Sequence, residues 1–552
     1  MYMYIYIFFT FFNYYNYCYF LSIKINMFER YFNDFLKLHP AYATFVGINK
    51  YNSELENGFS KKYEEDYKKL AKKYLAKLDR IKRKNIYHHS LKYDIDMTLG
   101  SFKLNFDYLS ISPHHFIIID LINSTTEGFF PLKTNKNLKD LIQRYKKSVE
   151  ITKDQIKKLN DGIKKGITVP KIIVKTVIDE LDEFTKNKNI FKLPVDENKF
   201  NKELVKDYNE TIENIIKPQV LLFKNYIQNN YLPFATNTIG LSKIPTGKKM
   251  YEYLVKSHTT LDTLKIKDIH DLGLKEVARI KKEMNKIKNE VGFNGNLDSF
   301  KKFLNDDKQF YFKNGNDIIK DYKNWKKIID KTVMPNYFDF EVSMDYNIKK
   351  MPSHIAKNGP GAYYYLPSSF KKRRGTFFVN TYNLKGSPKY TAESLALHEG
   401  NPGHNFQIVR SIDVKVPNFI IYDGSTAYSE GWGLYSESLG EYKNKYSKFG
   451  RLMNEMMRAV RLVVDTGIHY YGWTFDRTVE YFQKNTGLSY FESKNEIIRY
   501  ISDPGQALAY KIGEKFIFNL RYKFIKSKKG NIKDFHRYLL DIGPVPLKFI
   551  KL

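Results

Sequence analysis

Residues 397–404 read Leu-His-Glu-Gly-Asn-Pro-Gly-His, which places two histidines and one glutamate within eight positions. Hydrolysis of an amide at a zinc site needs imidazoles that hold the ion and a carboxylate that takes a proton from the attacking water. His398 and His404 can serve as the ligands and Glu399 as the base. The stretch therefore predicts a helix that carries a hydrolytic zinc site. A surface helix that ends beside two unrelated histidines is the alternative.

The spacing of the two histidines decides the shape of that helix. An i, i+6 pair lies roughly 240° apart on a regular helix, so both rings cannot share a face. Pro402 removes a backbone donor and Gly403 tolerates unusual dihedral angles. We therefore expect the helix to bulge after Asn401 and to return His404 to the side of His398.

A second segment, 428–437, carries two glutamates that are seven residues apart and fall on nearly the same helical face. A glutamate on a following helix is a usual third ligand at a site with two histidines. Glu430 is the preferred ligand because its neighbour Gly431 leaves room for close helix packing. Glu437 would then hold a ligand imidazole from behind. An amphipathic helix with two solvated acids is the alternative.

Two later clusters offer groups that could stabilise a developing oxyanion. Asp465 and His469 are i, i+4 on one apolar segment, so Asp465 could orient the His469 ring toward substrate. A buried histidine that only satisfies the core is the alternative. Tyr510 could supply a phenol hydroxyl, although tyrosine is abundant in this chain.

Taken together, these motifs resemble the domain of unknown function 885 family, which is similar to the gluzincin-like metallopeptidases. The resemblance covers the chain from Met27 onward. It is carried by HEGNPGHNFQ (398–407), EGWGLYSE (430–437), RLVVDTGIHYYGWT (461–474) and PGQALAYKIG (504–513), and upstream by 36–51, 231–264 and 361–381.

The resemblance implies one Zn²⁺ ion and a role for each matching residue. It implies His398, His404 and Glu430 as ligands and Glu399 as the general base. His469 and Tyr510 are implied as contacts to the transition state. One departure adjoins the motif: the family often has a second histidine where this chain has Asn405.

Composition bounds the possibilities. The net charge is +31, with basic residues spread along the whole chain and acids between them. This distribution favours an AT-rich coding sequence over a nucleic-acid groove, and no nucleic-acid partner is expected. A single cysteine, Cys18, excludes an intrachain disulfide and a multi-cysteine zinc site. A reducing, cytoplasmic location is therefore expected.

The first 26 residues stand apart from the rest. Residues 1–23 carry no charged side chain and are rich in Tyr and Phe. A segment of this length could cross a bilayer. They lack a basic start and a small-residue cleavage site. A start codon assigned too far upstream is the preferred interpretation, and a membrane anchor through residues 1–23 is the alternative.

The remaining pattern predicts a mainly α, two-lobed, zincin-like metallopeptidase with a small antiparallel β-sheet beside the active-site helix. Residues 27–335 are expected to form a helical lobe and 336–552 the catalytic region. Alternating aromatic and β-branched residues predict strands at 338–342 and 376–380. Residues 377–381 are the candidate edge strand for a peptide substrate, with Tyr364 and Asn380 as candidate side-chain contacts.

The predicted function is therefore zinc-dependent hydrolysis of peptide bonds, with a peptide or small amide as partner. The same chemistry would serve a hydrolase of non-peptide amides or esters. A catalytically inactive helical binding protein is the third possibility.

Overall fold

The computed structural model describes residues 27–112, 117–126, 128–352, 356, 361–371 and 373–552. The apolar segment 1–26 lies outside the described residues. Among those described, no helix combines the length and apolar character that a bilayer crossing requires.

The fold is mainly helical. Most of its helices are separated by loops, turns or short 3₁₀ segments, but a π-helical segment, Ile212–Ile216, joins two of them directly. In chain order they are α1 (27–38), α2 (Pro40–Val46), α3 (Lys61–Asp79), α4 (Ile86–Leu104), α5 (Ile117–Thr126), α6 (Asn135–Lys165), α7 (Lys171–Lys186), α8 (Lys202–Thr211), α9 (Lys217–Asn225), α10 (Gly247–Thr259), α11 (Ile266–Glu290), α12 (Leu297–Asp306), α13 (Gly315–Thr332), α14 (Met334–Tyr337), α15 (Ala392–Glu399), α16 (His404–Asp413), α17 (Asn418–Asp423), α18 (Thr426–Glu437), α19 (Lys445–His469), α20 (Phe475–Thr486), α21 (Tyr490–Ser502), α22 (Ala509–Lys526) and α23 (Ile532–Ile542).

A three-stranded sheet lies immediately before α15 in the chain. Its strands are β1 (Asn347–Lys350), β2 (Ala362–Tyr365) and β3 (Thr376–Val379), in the spatial order β1-β3-β2. β2 pairs antiparallel with β3, whereas β1 pairs parallel with it. The predicted all-antiparallel sheet is therefore wrong, because β1 joins the far side of β3 in the same direction. The predicted strand at 338–342 is also wrong: the rings of Phe338 and Phe340 pack on Phe406 from an unpaired loop.

Among the described residues, two large hydrophobic clusters and one small one form the core. One large cluster combines residues from 111–310 with residues from 390–507. The other combines 28–95 with 318–440 and 509–550. Each large cluster thus draws on both sides of the predicted boundary at residue 335, so that boundary does not coincide with a division of the core.

The helices that carry the predicted site pack on one another around α15. Helix α18 lies against α22 and α15, and the long helix α19 lies against α11 and α15. Side-chain caps fix where α18 and α19 begin: Ser425 accepts a hydrogen bond from the Tyr428 amide, and Asn444 accepts one from the Tyr446 amide. This packing positions residues from distant parts of the sequence around the end of α15.

Candidate metal centre

His398 and Glu399 end helix α15, and His404 begins helix α16, so the chain breaks between the two histidines. The predicted bulge after Asn401 is therefore wrong in its place: the first helix already ends before Gly400. The break brings backbone against backbone, since a Cβ at Gly403 would lie 1.9 Å from the His398 carbonyl oxygen. Only glycine permits this approach, which turns the start of α16 back toward His398.

Polar contacts hold the loop between the two histidines in place. The Trp432 indole Nε1 donates to the Pro402 carbonyl at 2.8 Å, and Asn401 Nδ2 donates to Asp330 Oδ1 at 3.0 Å. Asn405 Nδ2 donates to Asn401 Oδ1 at 3.0 Å. The departure at Asn405 thus has a structural use here, because its amide links this loop to the following helix.

The three predicted ligands converge. Glu430 Oε2 lies 3.4 Å from His398 Nε2 and 3.6 Å from His404 Nε2. Their possible ligand atoms all lie within 4.8 Å of one another. Two ligands on one tetrahedral zinc ion, each at about 2.0–2.1 Å, stand roughly 3.3 Å apart. The observed separations therefore match side chains that share one small cation.

Glu437 supports the His398 ring from the side opposite Glu430. Its Oε1 lies 2.9 Å from His398 Nδ1, and its Oε2 accepts from Ser394 Oγ at 2.5 Å. The carboxylate therefore holds one proton of His398 on Nδ1, so that loss of the second proton would expose the Nε2 lone pair toward Glu430 and His404. A carboxylate behind a metal-binding histidine has this effect in many zinc sites.

Two glycines of α18 make room for this arrangement. A Cβ at Gly433 would lie 2.6 Å from His398 Cε1, so the imidazole occupies the space of a missing side chain. A Cβ at Gly431 would lie 2.4 Å from the backbone of Gly513 on α22, which allows the close helix approach that the sequence predicted. Glu430 precedes Gly431 on α18, so the packing of this helix sets the direction in which the Glu430 side chain points.

The charges of the site are strongly coupled. Burial works against protonation of His398, but hydrogen bonds to Glu430 and Glu437 raise its pKa to about 10. Burial likewise opposes ionisation of Glu430, yet the two histidines hold its pKa well below the usual range. The carboxylates therefore retain a positive charge between them, and a divalent cation that binds there replaces a proton.

Glu399 lies at the end of α15, next to the candidate ligand His398, and only 7% of its surface is exposed. Burial raises its pKa, while the positive charges of the two histidines and of Arg458 oppose this rise. A buried carboxylate beside a group of candidate ligands is what a general base requires.

Asp465 and His469 each hydrogen-bond groups from other segments of the chain. His469 Nε2 lies 2.9 Å from the Tyr500 carbonyl oxygen, and its Nδ1 accepts from the Leu241 amide at 3.3 Å. Asp465 accepts from Tyr251 Oη at 2.6 Å and from the Gly505 amide. Both ring nitrogens are thus bound to backbone, and the predicted orientation of His469 by Asp465 is wrong, since Asp465 is bound to other groups.

Tyr510 sits at the start of α22, half-buried between two arginines. The guanidinium of Arg461 lies over its ring at 4.7 Å, and Arg499 Nη2 lies 3.4 Å from its hydroxyl oxygen. Because the arginine donates, the hydroxyl proton of Tyr510 remains available to another acceptor. Its role toward an oxyanion stays a prediction.

The strand predicted to bind substrate is not an edge. β3 is the central strand and pairs on both sides, so 377–381 cannot accept an added strand. Asn380 is occupied by the chain itself: its Nδ2 donates to the Ala356 carbonyl and its Oδ1 accepts from the Tyr382 amide. Tyr364, on the edge strand β2, lies closer to the site. Its ring centre is 6.4 Å from that of His404, and its hydroxyl donates to Asn405.

Sequence reasoning missed several polar residues around the centre. Ser394 and Asn454 extend the chain of hydrogen bonds behind His398, since Asn454 Nδ2 donates to Ser394 Oγ at 3.2 Å. Arg458 lies one turn beyond Asn454. Ser394 had a usable signal, because it stands four residues before His398 on the same helix face. The two residues of α19 had none, because their place depends on tertiary packing.

Two solved structures share this architecture. A solved structure described as "the putative lipoprotein from Colwellia psychrerythraea" shares the fold with a TM-score of 0.86 and 25% sequence identity, over 95% of this chain and 97% of that one. Another, from Shewanella oneidensis, is described as "a putative lipoprotein of unknown function" and has a TM-score of 0.73 at 15% identity, over 95% and 98%. Among curated proteins, none matches.

A family model described as "Bacterial protein of unknown function (DUF885)" matches residues 40–551. The match contains the sheet, the candidate metal centre and the helices that build it. The chain therefore belongs to the DUF885 family.

Proposed function

We propose that this protein is a hydrolase that uses one zinc ion to cleave peptide bonds. The observation that carries the proposal is the meeting of His398, His404 and Glu430, with ligand atoms within 4.8 Å of one another, beside the buried carboxylate of Glu399. Two imidazoles, one carboxylate and an adjacent base form the donor set of catalytic zinc sites.

The residues fit zinc better than a larger or harder cation. Imidazole nitrogen suits zinc, whereas calcium and magnesium favour sites built from oxygen ligands. Three protein ligands leave a position open for substrate or water. Glu437 keeps His398 in the tautomer that presents Nε2. When bound, the ion would supply Lewis acidity, which polarises a carbonyl group and makes a water molecule more acidic.

Glu399 would hold and move the proton. It would take the proton from the attacking water and pass it to the nitrogen of the leaving amine, which must be protonated before it departs. Its place at the end of α15 keeps its carboxylate next to His398 throughout. Tyr510 is the candidate donor to the developing oxyanion, a contribution of roughly 2.7–4 kcal/mol if it acts like a typical donor of this kind.

This assignment implies that the protein is related to the gluzincin-like peptidases and that its catalytic region has a zincin-like fold. The ligand set of two histidines and one glutamate, with a glutamate base directly after the first histidine, supports it. An extended peptide would lie against the edge strand β2 near Tyr364, since β3 is paired on both sides. The single cysteine fits a reducing, cytoplasmic location.

The test combines metal analysis with hydrolysis. Protein purified without added metal should hold about one zinc per chain. It should also cleave short peptides in a reaction that a chelator stops and added zinc restores. A panel that includes non-peptide amides and esters identifies the bond class. Zinc-free protein that binds no zinc on titration would overturn the proposal. Zinc-loaded protein that cleaves only esters would replace the peptide assignment.

A further inference from the structure

Two clusters of exposed cations lie at the surface on either side of the C-terminus. The first, the basic turn, joins α3 to α4 and contains Arg80, Lys82, Arg83 and Lys84. The second, the basic helix end, closes α22 and contains Lys523, Lys526, Lys528 and Lys529. None of these cations pairs with a carboxylate of a described residue, whereas Lys62, Lys68 and Lys73 of α3 each do. Their charge therefore remains open to a partner outside the chain.

Contacts through the start of α4 and the C-terminal residues join the two clusters. The basic turn leads directly into α4, where the ring centre of the exposed His89 lies 5.7 Å from that of Phe549. The carbonyl of Lys551 accepts a hydrogen bond from Tyr538 Oη, and the Tyr538 ring lies 5.6 Å from that of Phe524 on α22. The basic turn, the C-terminal residues and the basic helix end therefore form one continuous surface.

Apolar side chains are exposed among these cations. Tyr522 and Ile525 stand three residues apart on one face of α22, and 62% and 44% of their surfaces are exposed. Leu552, next to Lys551, is 39% exposed. Single apolar side chains on a surface are ordinary. A tyrosine and aliphatic side chains that are grouped between unpaired lysines are instead typical of a surface that enters the headgroup region of a bilayer.

Few acids offset the positive charge of this surface. The exposed carboxylates nearest to the two clusters in sequence are those of Asp79 and Asp534, and the chain adds its C-terminal carboxylate. Asp541, farther along α23, is already paired with Arg410. The surface therefore keeps an excess of positive charge, which attracts anionic lipid headgroups.

The uncharged segment 1–23 joins the fold at the same surface. It precedes Phe28, whose ring centre lies 6.2 Å from that of Tyr87 and 4.9 Å from that of His88, at the start of α4. An apolar segment and a basic surface on the same side of a protein reinforce each other at a membrane, because either signal alone gives weak and reversible attachment.

We propose that this surface docks the protein on a bilayer with anionic headgroups. Tyr522 and Ile525 would lie at the level of the headgroups, and the cations of both clusters would contact lipid phosphate and carboxylate groups. The inference does not depend on the proposed hydrolase. Nucleic acid carries a similar charge, but exposed aliphatic side chains gain nothing from a phosphate backbone, so the grouping of the two kinds of side chain favours lipid.

The first experiment measures sedimentation of the full chain with lipid vesicles. Vesicles of phosphatidylcholine with about one-third phosphatidylserine should bind the protein about 100-fold more tightly than vesicles of phosphatidylcholine alone at about 0.1 M salt. The preference should shrink severalfold at about 0.5 M salt, because salt screens the exposed cations. Equal binding to both kinds of vesicle would show that segment 1–23 alone attaches the protein, and would overturn the role of the surface.

The second experiment removes charge from the surface. A triple variant, Lys526→Gln with Lys528→Gln and Lys529→Gln, should bind the anionic vesicles about 10–100-fold less tightly and leave binding to phosphatidylcholine unchanged. The matched control removes three equally exposed, unpaired lysines near the start of α8, with the changes Lys192→Gln, Lys199→Gln and Lys202→Gln. An equal loss in both triple variants would show that only the net charge of the chain matters, and would overturn the inference. An unchanged thermal unfolding temperature verifies that each variant is folded.

The third experiment separates lipid from nucleic acid. Tyr522→Ser with Ile525→Ser keeps every charge and should weaken binding to the anionic vesicles about tenfold at low and at high salt, since the lost contribution is apolar. Leu221→Ser with Leu222→Ser, at positions of α9 that are 48% and 51% exposed, is the control and should bind as the wild-type protein does. A DNA duplex that binds more tightly than the vesicles, and whose binding the serine changes at Tyr522 and Ile525 do not alter, would assign the surface to nucleic acid and overturn the inference.

Discussion

His398 and His469 are both almost fully buried, yet their surroundings give them opposite character. His398 lies between the carboxylates of Glu430 and Glu437, which raise its pKa to about 10 against the effect of burial. His469 lies between a backbone amide and a backbone carbonyl, and burial lowers its pKa to about 4. The partners of a buried histidine, and not its burial, therefore distinguish a side chain able to bind a cation from one that joins segments of backbone.

The largest expected effect follows from removing one of the candidate ligands that surround the site of His398. His404→Ala deletes one of three ligand atoms, so the bound zinc should fall from about one per chain toward none and peptide hydrolysis should be lost with it. Metal analysis after gel filtration measures the change. His89→Ala, at an exposed position outside the centre, is the control. Zinc retained at full stoichiometry in His404→Ala would mean that the ligand set is wrong.

Removing the base should separate chemistry from metal binding. Glu399→Gln keeps the size of the side chain and all three ligands, so zinc content should stay the same while kcat falls by roughly 10²–10⁴-fold. Steady-state kinetics with a short peptide measures the loss. Glu393→Gln makes the same charge change on the same helix and should leave kcat near that of the wild-type protein. A Glu399→Gln protein with full activity contradicts the assignment of the base.

A smaller effect on zinc binding is expected at Glu437, which supports the ring of His398 from behind. Glu437→Gln removes the charge that orients His398 and places an amide opposite Ser394, so zinc affinity should fall by about 10–100-fold. A competition titration with a coloured chelator measures the affinity, and Glu441→Gln, an exposed acid nearby, serves as the control. Unchanged affinity would show that the hydrogen bond to Glu437 is not needed to hold the ring.

The sequence could predict which side chains converge at the candidate metal centre, because the residue types that bind zinc and their spacing within each segment are visible in the sequence itself. Two histidines with an adjacent glutamate, followed by Glu430 in a glycine-rich segment, indicate zinc chemistry before any contact is known. The mainly helical fold follows in the same way from periodicity. The helix break was misplaced by a few residues, since the close contact of Gly403 with the backbone of α15 is not visible in a linear pattern.

The partners of a buried group could not be predicted, because they come from other segments. Helical spacing correctly puts Asp465 and His469 on one face, but Leu241 contacts His469 from 228 residues away. β3 looked like an edge strand because β1, which covers its other side, has a weak strand pattern.

The smallest effect on hydrolysis, and the sharpest test of the comparison, is expected at His469. Burial lowers the pKa of His469 to about 4 in the folded protein, below the value of about 6.5 in the unfolded chain, and the neutral ring accepts from Leu241. Above pH 6.5 its contribution to stability is complete. As the pH falls from 6.5 toward 4, only the unfolded chain gains the proton, and about 3 kcal/mol of stability is lost.

His469→Gln should remove this loss, because the glutamine amide can accept from Leu241 and donate to Tyr500 without titrating. Denaturant unfolding between pH 7 and pH 4 should give a shallower fall in the free energy of unfolding than in the wild-type protein. His536, whose pKa burial also lowers to about 4, leaves the same residual slope in both proteins. At neutral pH the variant should hold zinc and cleave peptide at nearly the wild-type rate. A loss of kcat of more than about tenfold with stability intact would instead show that His469 stabilises the oxyanion. Burial with two backbone partners would then no longer distinguish a structural histidine from a catalytic one.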